Sequence, residues 1–139
     1  MRTAIDTNVF SAVWGREAAA EKISLWLDDA ATQGDLVISP AVYVELRANP
    51  YVATAFVDRF LDTMRITVDW IVEQEIWLLT AERFEKYARR RRQPGTMEVK
   101  RFPADFLIAA HALLHADRLV TLDQRRYRTD FPELIIAEL

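Results

Sequence analysis

The chain has 139 residues, of which 51% are hydrophobic and 28% charged, and its formal net charge is −3. That length suits one domain with a buried core, and the absence of cysteine excludes disulfides, thiolate metal sites and cysteine nucleophiles. No apolar run approaches the roughly 18 residues of a membrane span, and Met1-Arg2-Thr3-Ala4-Ile5-Asp6 lacks a signal-peptide pattern, so a cytoplasmic protein with no membrane partner is expected.

Three glycines and five prolines lead us to expect mostly helix and short loops. In chain order, Arg2 to Ile5 reads as a first strand, and Asp6 or Thr7 as the cap of a short helix from Asn8 to about Trp14. Glu17 to Thr32 is amphipathic, with Ala20, Ile23, Trp26, Leu27 and Ala30 at helical spacing, and Gln33-Gly34-Asp35 stops it. Leu36 to Ser39 has the character of a strand. Pro40 then starts a helix that carries Glu45 and ends near Asn49-Pro50. Tyr51 to Met64 is again helical, with Val52, Ala55, Phe56, Phe60 and Leu61 as its apolar stripe. Ile66 to Val68 is a third strand, and a long helix runs from about Ile71 to Arg91, before Gln93-Pro94-Gly95. After the loop Thr96 to Arg101, Pro103 marks the helix Ala104 to Ala116, which is apolar on most sides and therefore expected to be buried. Leu119 to Leu122 is a fourth strand, and Leu134 to Ala137 a short fifth.

Strands alternating with helices predict a single α/β domain, residues 1–139, around a parallel sheet with helices on both faces. Such sheets bind ligands beyond the carboxyl ends of their strands. Asp6 and Asp123 both follow a predicted strand at that edge, Glu45 lies six residues past Ser39, and Asp105 sits in the first turn of its helix. Singly, each acid has an ordinary explanation: a helix cap, a surface carboxylate, a dipole partner or an Asx-turn. Together, three of the four in apolar sequence, they are costly to bury unless a cation or hydrogen bonds compensate. Hard oxygen donors suit Mg²⁺ or Mn²⁺, which points to hydrolysis of phosphodiesters.

Basic residues are clustered despite the negative total. Arg89-Arg90-Arg91-Arg92 precedes Lys100-Arg101, and Arg125-Arg126-Tyr127-Arg128 follows Asp123; they read either as solvated helix ends or as a phosphate-binding rim. Trp14 and Arg16, close after Asp6, are candidates for substrate contact, with a core position the default for Trp14. Trp26 and Trp77, on apolar stripes, read as core or interface. His111 and His115 have the spacing of a zinc pair, but lacking an adjacent H-E-x-x-H glutamate or any cysteine they read as structural or partly exposed rather than as metal ligands.

The segments Asp6-Thr7-Asn8, Glu45 after Ser39, Asp105-Phe106-Leu107-Ile108-Ala109-Ala110-His111-Ala112 and Leu119-Val120-Thr121-Leu122-Asp123 resemble, in order and spacing, the PIN-domain ribonucleases. The length is similar to that of the VapC toxins of toxin–antitoxin systems, and the likeness spans nearly the whole chain. It implies a PIN-like three-layer α/β/α fold with a short parallel sheet of four to five strands. Asp6, Glu45, Asp105 and Asp123 would be the metal-site acids, Asp123 either directly or through water. Asn8 would orient Asp6 or a water, and Thr121 would hydrogen-bond within the pocket. One or two Mg²⁺ or Mn²⁺ ions would act on the phosphates of RNA, leaving 5′-phosphate and 3′-hydroxyl ends. A homodimer and a small antitoxin covering the pocket are also implied. A PIN nuclease of RNA processing and a catalytically idle PIN-like interaction module remain as other readings. A phosphorylation-switched receiver domain fits poorly, since only Asp6 follows the first strand, Asp69 after the third has no supporting context, and no lysine lies beyond Lys100.

Overall fold

The computed structural model describes residues 1–139. Its centre is a four-stranded, all-parallel sheet of β1 (Thr3–Ile5), β2 (Leu36–Ile38), β3 (Ile66–Val68) and β4 (Arg118–Val120), in the spatial order β3-β2-β1-β4. Around it lie α1 (Thr7–Trp14), α2 (Ala20–Gln33), α3 (Pro40–Arg47), α4 (Thr54–Thr63), α5 (Gln74–Arg91), α6 (Pro103–His115) and α7 (Arg125–Arg128). No helix is long and apolar enough to cross a membrane.

Strands of three residues leave little backbone pairing, so burial has to define the sheet. Every residue of β1 and β2 is buried, as expected for central parallel strands covered on both faces. The helix starts follow local chemistry. Asp6 caps α1 by accepting from Thr7 N at 2.7 Å, and Ser39 Oγ accepts from Val42 N at 3.4 Å ahead of Pro40. The predicted buried helix is α6, whose Phe106 to Ala112 are all buried. Phe106 joins a ring cluster with Phe84 and Tyr87 of α5 and with Phe131.

Several boundaries differ from the sequence expectation, each for a local reason. The helix predicted from Glu17 begins at Ala20, because Arg16 is left-handed at φ 51° and the next residues turn. The one predicted from Tyr51 begins at Thr54, because Asn49 Oδ1 accepts from Tyr51 N at 2.9 Å in an Asx-turn. The long helix begins at Gln74 rather than Ile71, after an extended Glu73. The last strand ends at Val120, and Leu122 N turns to Asn8 Oδ1 at 3.1 Å. The fifth strand reduces to one parallel bridge between Leu119 and Ile136. Helix α7 lacks the apolar periodicity that would have announced it; Tyr127 is its buried residue.

The arginine run at the end of α5 divides by role. Arg90 donates to Glu98 Oε1 at 2.7 Å and to both oxygens of Asp130 at 3.1 and 3.3 Å, so it ties α5 to the following loop and to the C-terminal segment. Arg89 pairs with Glu85 on the helix surface. Trp26 lies under the Arg118 guanidinium, 4.9 Å from ring centre to Cζ, and Trp77 is exposed on α5 rather than in the core.

The Asp130 side chain is 4% exposed, so Arg90→Ala would leave a buried carboxylate without its cation. We expect a loss of roughly 2 kcal/mol or more in urea unfolding, against under about 0.5 kcal/mol for Arg89→Ala on the solvated face.

Candidate active site

Four segments distant in sequence meet at the carboxyl edge of the sheet. Asp6 leaves β1, Glu45 rides on α3, Asp105 opens α6, and Asp123 lies between β4 and α7. Asp6 is 1% exposed, and both its oxygens are engaged. Oδ1 caps α1, while Oδ2 accepts from Thr121 Oγ1 and from Tyr127 OH, each at 2.8 Å. Burial, and then the Asp6 carboxylate, push the Tyr127 phenol upward, which keeps it a donor.

Glu45 is exposed as a residue, yet its carboxylate turns to Thr7 Oγ1 at 2.6 Å. Desolvation raises its pKa despite that hydrogen bond, and repulsion from Asp105 and Asp6 adds to the rise. Asp105 is raised as well, by desolvation first and with a contribution from Asp6, against the lowering effect of Arg126. Asp105 and Asp6 both act on Glu45, and Asp6 acts on Asp105, so the three carboxyls stand within electrostatic reach. Asp123 is different: its side chain is 47% exposed, and its charged neighbour is Arg126, Nε to Oδ2 at 3.6 Å.

Glu45, Asp105 and Asp123 line a cavity of about 590 Å³ together with Lys100, Arg101, Phe102, Arg125 and Arg126. Arg126 had no singled-out role in the sequence, yet it sits between two of the acids, with Nη1 3.5 Å from Asp105 Oδ1. The surrounding acids outweigh the cost of burying its charge. Its place within a cluster of basic residues hid it, since nothing in the order of Arg125-Arg126-Tyr127-Arg128 says which side chain turns inward. Tyr127 was likewise masked by that cluster. Thr121 and Asn8 form the supporting polar set: Asn8 Nδ2 donates to Thr121 Oγ1 at 3.2 Å, and Asp123 N does so at 3.1 Å.

The other predicted contacts are distributed unevenly. Lys100, Arg101 and Arg125 border the acidic cavity. Arg89 and Arg90 are held by Glu85 and by Glu98 with Asp130, Arg91 donates to Tyr87 OH at 3.3 Å, and Arg92 ends α5. Trp14 packs with Phe10, Phe56 and Phe60, and one side of it borders a groove shared with Thr7, Ser11 and Glu45. Arg16 is exposed just beyond α1.

The acids of the pocket offer oxygen donors only and are partly desolvated; of the basic side chains around them, Arg126 is the one paired to Asp105 and Asp123. Residues of this kind fit a hard divalent ion such as Mg²⁺ or Mn²⁺.

Residues 3–132 match the PIN domain family. No curated protein sequence matches the chain significantly. Among solved structures, the chain is similar to VapBC2 from Rickettsia felis, a complex bound to a DNA fragment from its promoter, with 19% identity, TM-score 0.75, and coverage of 99% of this chain and 98% of that one. It is also similar to VapBC-1 from nontypeable Haemophilus influenzae, with 20% identity, TM-score 0.67, and coverage of 99% and 98%. A third likeness is to FitAcB from Neisseria gonorrhoeae, with 20% identity, TM-score 0.63, and coverage of 98% and 96%.

Raised carboxyl pKa values give the pocket a definite pH signature. A group that holds its proton more tightly when folded stabilises the fold fully at low pH, and that contribution is lost as pH rises through its folded pKa. Without divalent ions, Asp105→Asn should therefore raise Tm at neutral pH, by roughly 2–4 °C for about 1 kcal/mol. The gain should shrink as pH falls toward the ordinary carboxylate range near about 4. Thermal melts across pH, in EDTA, check this.

Proposed function

This chain belongs to the PIN domain family, and we propose that it is a metal-dependent endoribonuclease acting as the toxin of a toxin–antitoxin pair. The observation that carries the nuclease reading is the convergence of Asp6, Glu45 and Asp105 at the carboxyl edge of the sheet beside a basic rim.

Asp6, Glu45 and Asp105 would hold one or two Mg²⁺ or Mn²⁺ ions, with Asp123 at the rim joining directly or through water. When bound, such an ion supplies charge neutralisation at a phosphate and activation of a water nucleophile. The rest is done by the chain's own side chains. Tyr127 OH and Thr121 Oγ1 fix Asp6 Oδ2, so the most buried carboxylate presents one orientation. Asn8 accepts from Leu122 N and donates to Thr121, holding the β4–α7 turn against α1. Thr7 Oγ1 draws Glu45 toward the same centre. Lys100, Arg101 and Arg125 at the cavity margin suit the phosphates flanking the scissile bond. The long contacts from Arg126 to Asp105 and Asp123, 3.5 and 3.6 Å, leave it free to turn to a bound phosphate once a cation takes over the acids.

The toxin assignment is supported by the full-length similarity to chains of VapBC and FitAB complexes. An antitoxin would cover the acidic pocket, and a homodimer would use exposed apolar side chains such as Leu25 of α2 or Phe56 of α4.

Incubation with an RNA panel and Mg²⁺ or Mn²⁺ should give cleavage that EDTA abolishes. Asp105→Asn and Asp6→Asn should each reduce the rate by on the order of 10²–10³-fold or more. Asn at position 6 retains a competent helix cap. Induced expression of the wild type should arrest growth, and expression of Asp105→Asn should not. Full nuclease activity in both variants would overturn the chemistry, and unimpaired growth alongside cleavage in vitro would overturn the toxin role.

A further inference from the structure

A second group of metal-ligating side chains lies at the other end of α6 from Asp105. His111 and His115 are one turn apart near the helix C-terminus, with ring centres 5.8 Å apart. The stretch that leaves β3 for α5 brings Asp69 to them, with Asp69 N anchored on Ile38 O at 2.9 Å. His111 Nε2 is 2.8 Å from Asp69 Oδ2, and His115 Nε2 is 2.5 Å from Glu73 Oε2. One donor atom from each of Asp69, His111 and His115 lies within 4.8 Å of the others.

We propose that Asp69, His111 and His115 bind a borderline divalent transition ion, Zn²⁺ in the first instance, with Glu73 as the nearest further donor. Two imidazoles and carboxylates form a donor set suited to Zn²⁺ rather than to Mg²⁺, which prefers oxygen alone. Donors at Zn²⁺ distances stand about 3.4 Å apart in a tetrahedral site. The widest pair therefore needs to close by at most roughly 1.4 Å, a swing open to the partly exposed His115 and the exposed Glu73. His111, 1% exposed, and the anchored Asp69 form the fixed half.

Arg2 is the feature that must be reconciled with a cation here. Its Nη2 donates to both Asp69 oxygens at 2.8 Å, its Nε donates to His115 O at 2.8 Å, and Nη1 lies 3.6 Å from Asp35. It thus orients Asp69 and the end of α6, as an outer hydrogen-bond partner does for a ligating carboxylate. Asp35 offsets part of its charge. The ion would join the β3–α5 connection to α6, a structural role separate from the acidic pocket and independent of the nuclease reading.

In sequence the histidine pair has no H-E-x-x-H glutamate and no cysteine to accompany it. Its partner lies 42 residues away, where spacing does not reveal it.

The test uses untagged, chelator-stripped full-length protein with Mg²⁺ in excess, so that oxygen-only sites are occupied. Competition against a chromophoric chelator should show a single Zn²⁺ per chain with Kd below about 1 µM, and Co²⁺ should give the visible absorption of a nitrogen-ligated ion. Asp105→Asn should leave both unchanged. His115→Ala and, separately, Glu73→Ala should be folded by circular dichroism; His115→Ala should weaken Zn²⁺ at least tenfold and lose the Co²⁺ band. No Zn²⁺ binding in the presence of Mg²⁺ would overturn the proposal. So would binding that survives His115→Ala, or that disappears in Asp105→Asn.

Discussion

The buried carboxylate of Asp6 is the constraint around which this molecule is arranged. One oxygen satisfies the first amide of α1, and the other receives hydroxyls from Thr121 and Tyr127. A single side chain thereby links β1, α1, the end of β4 and α7. Desolvating a charge this far is costly unless several donors meet it, and here three do. The same saturation fixes the orientation of Asp6, which a site that must hold an ion to a narrow geometry requires.

The pocket around Asp6 is arranged at some expense to stability. Glu45 and Asp105 are both shifted toward their protonated forms, by desolvation first, with Asp105 and Asp6 adding to the rise at Glu45 and Asp6 to that at Asp105, so the charged pocket is under repulsion that Arg126 relieves only in part. Proteins often retain such local cost where a ligand will later supply the missing interaction. The core sets against it the fully buried stretch Phe106 to Ala112 of α6 and an aromatic cluster at Phe84, Tyr87, Phe106 and Phe131.

Positive charge follows the same separation between scaffold and surface. Arg90 acts as a brace between Glu98 and Asp130, and Arg2 reaches from the start of β1 to Asp69 and the end of α6. Lys100, Arg101, Arg125 and Arg126 instead face the acidic cavity. Helix α6 spans both regions, with Asp105 in its first turn and His111 and His115 toward its last.

Much of this was legible along the chain. Periodicity located all four strands and six of the seven helices to within a few residues, because apolar spacing reports the face each element buries. Asp6, Glu45 and Asp105 stood out because they interrupt or border apolar runs at the edge where a parallel sheet gathers its loops. The fifth strand, α7 and the helix starts at Ala20, Thr54 and Gln74 were decided by hydrogen bonds and turns with no periodic signature. Tertiary structure alone chose which arginine in each basic cluster turns inward to carboxylates, gave Tyr127 to Asp6, and placed Asp69 against His111. Spacing predicts which face of an element a residue occupies. It does not say which distant side chain meets it there, because that depends on how the elements pack.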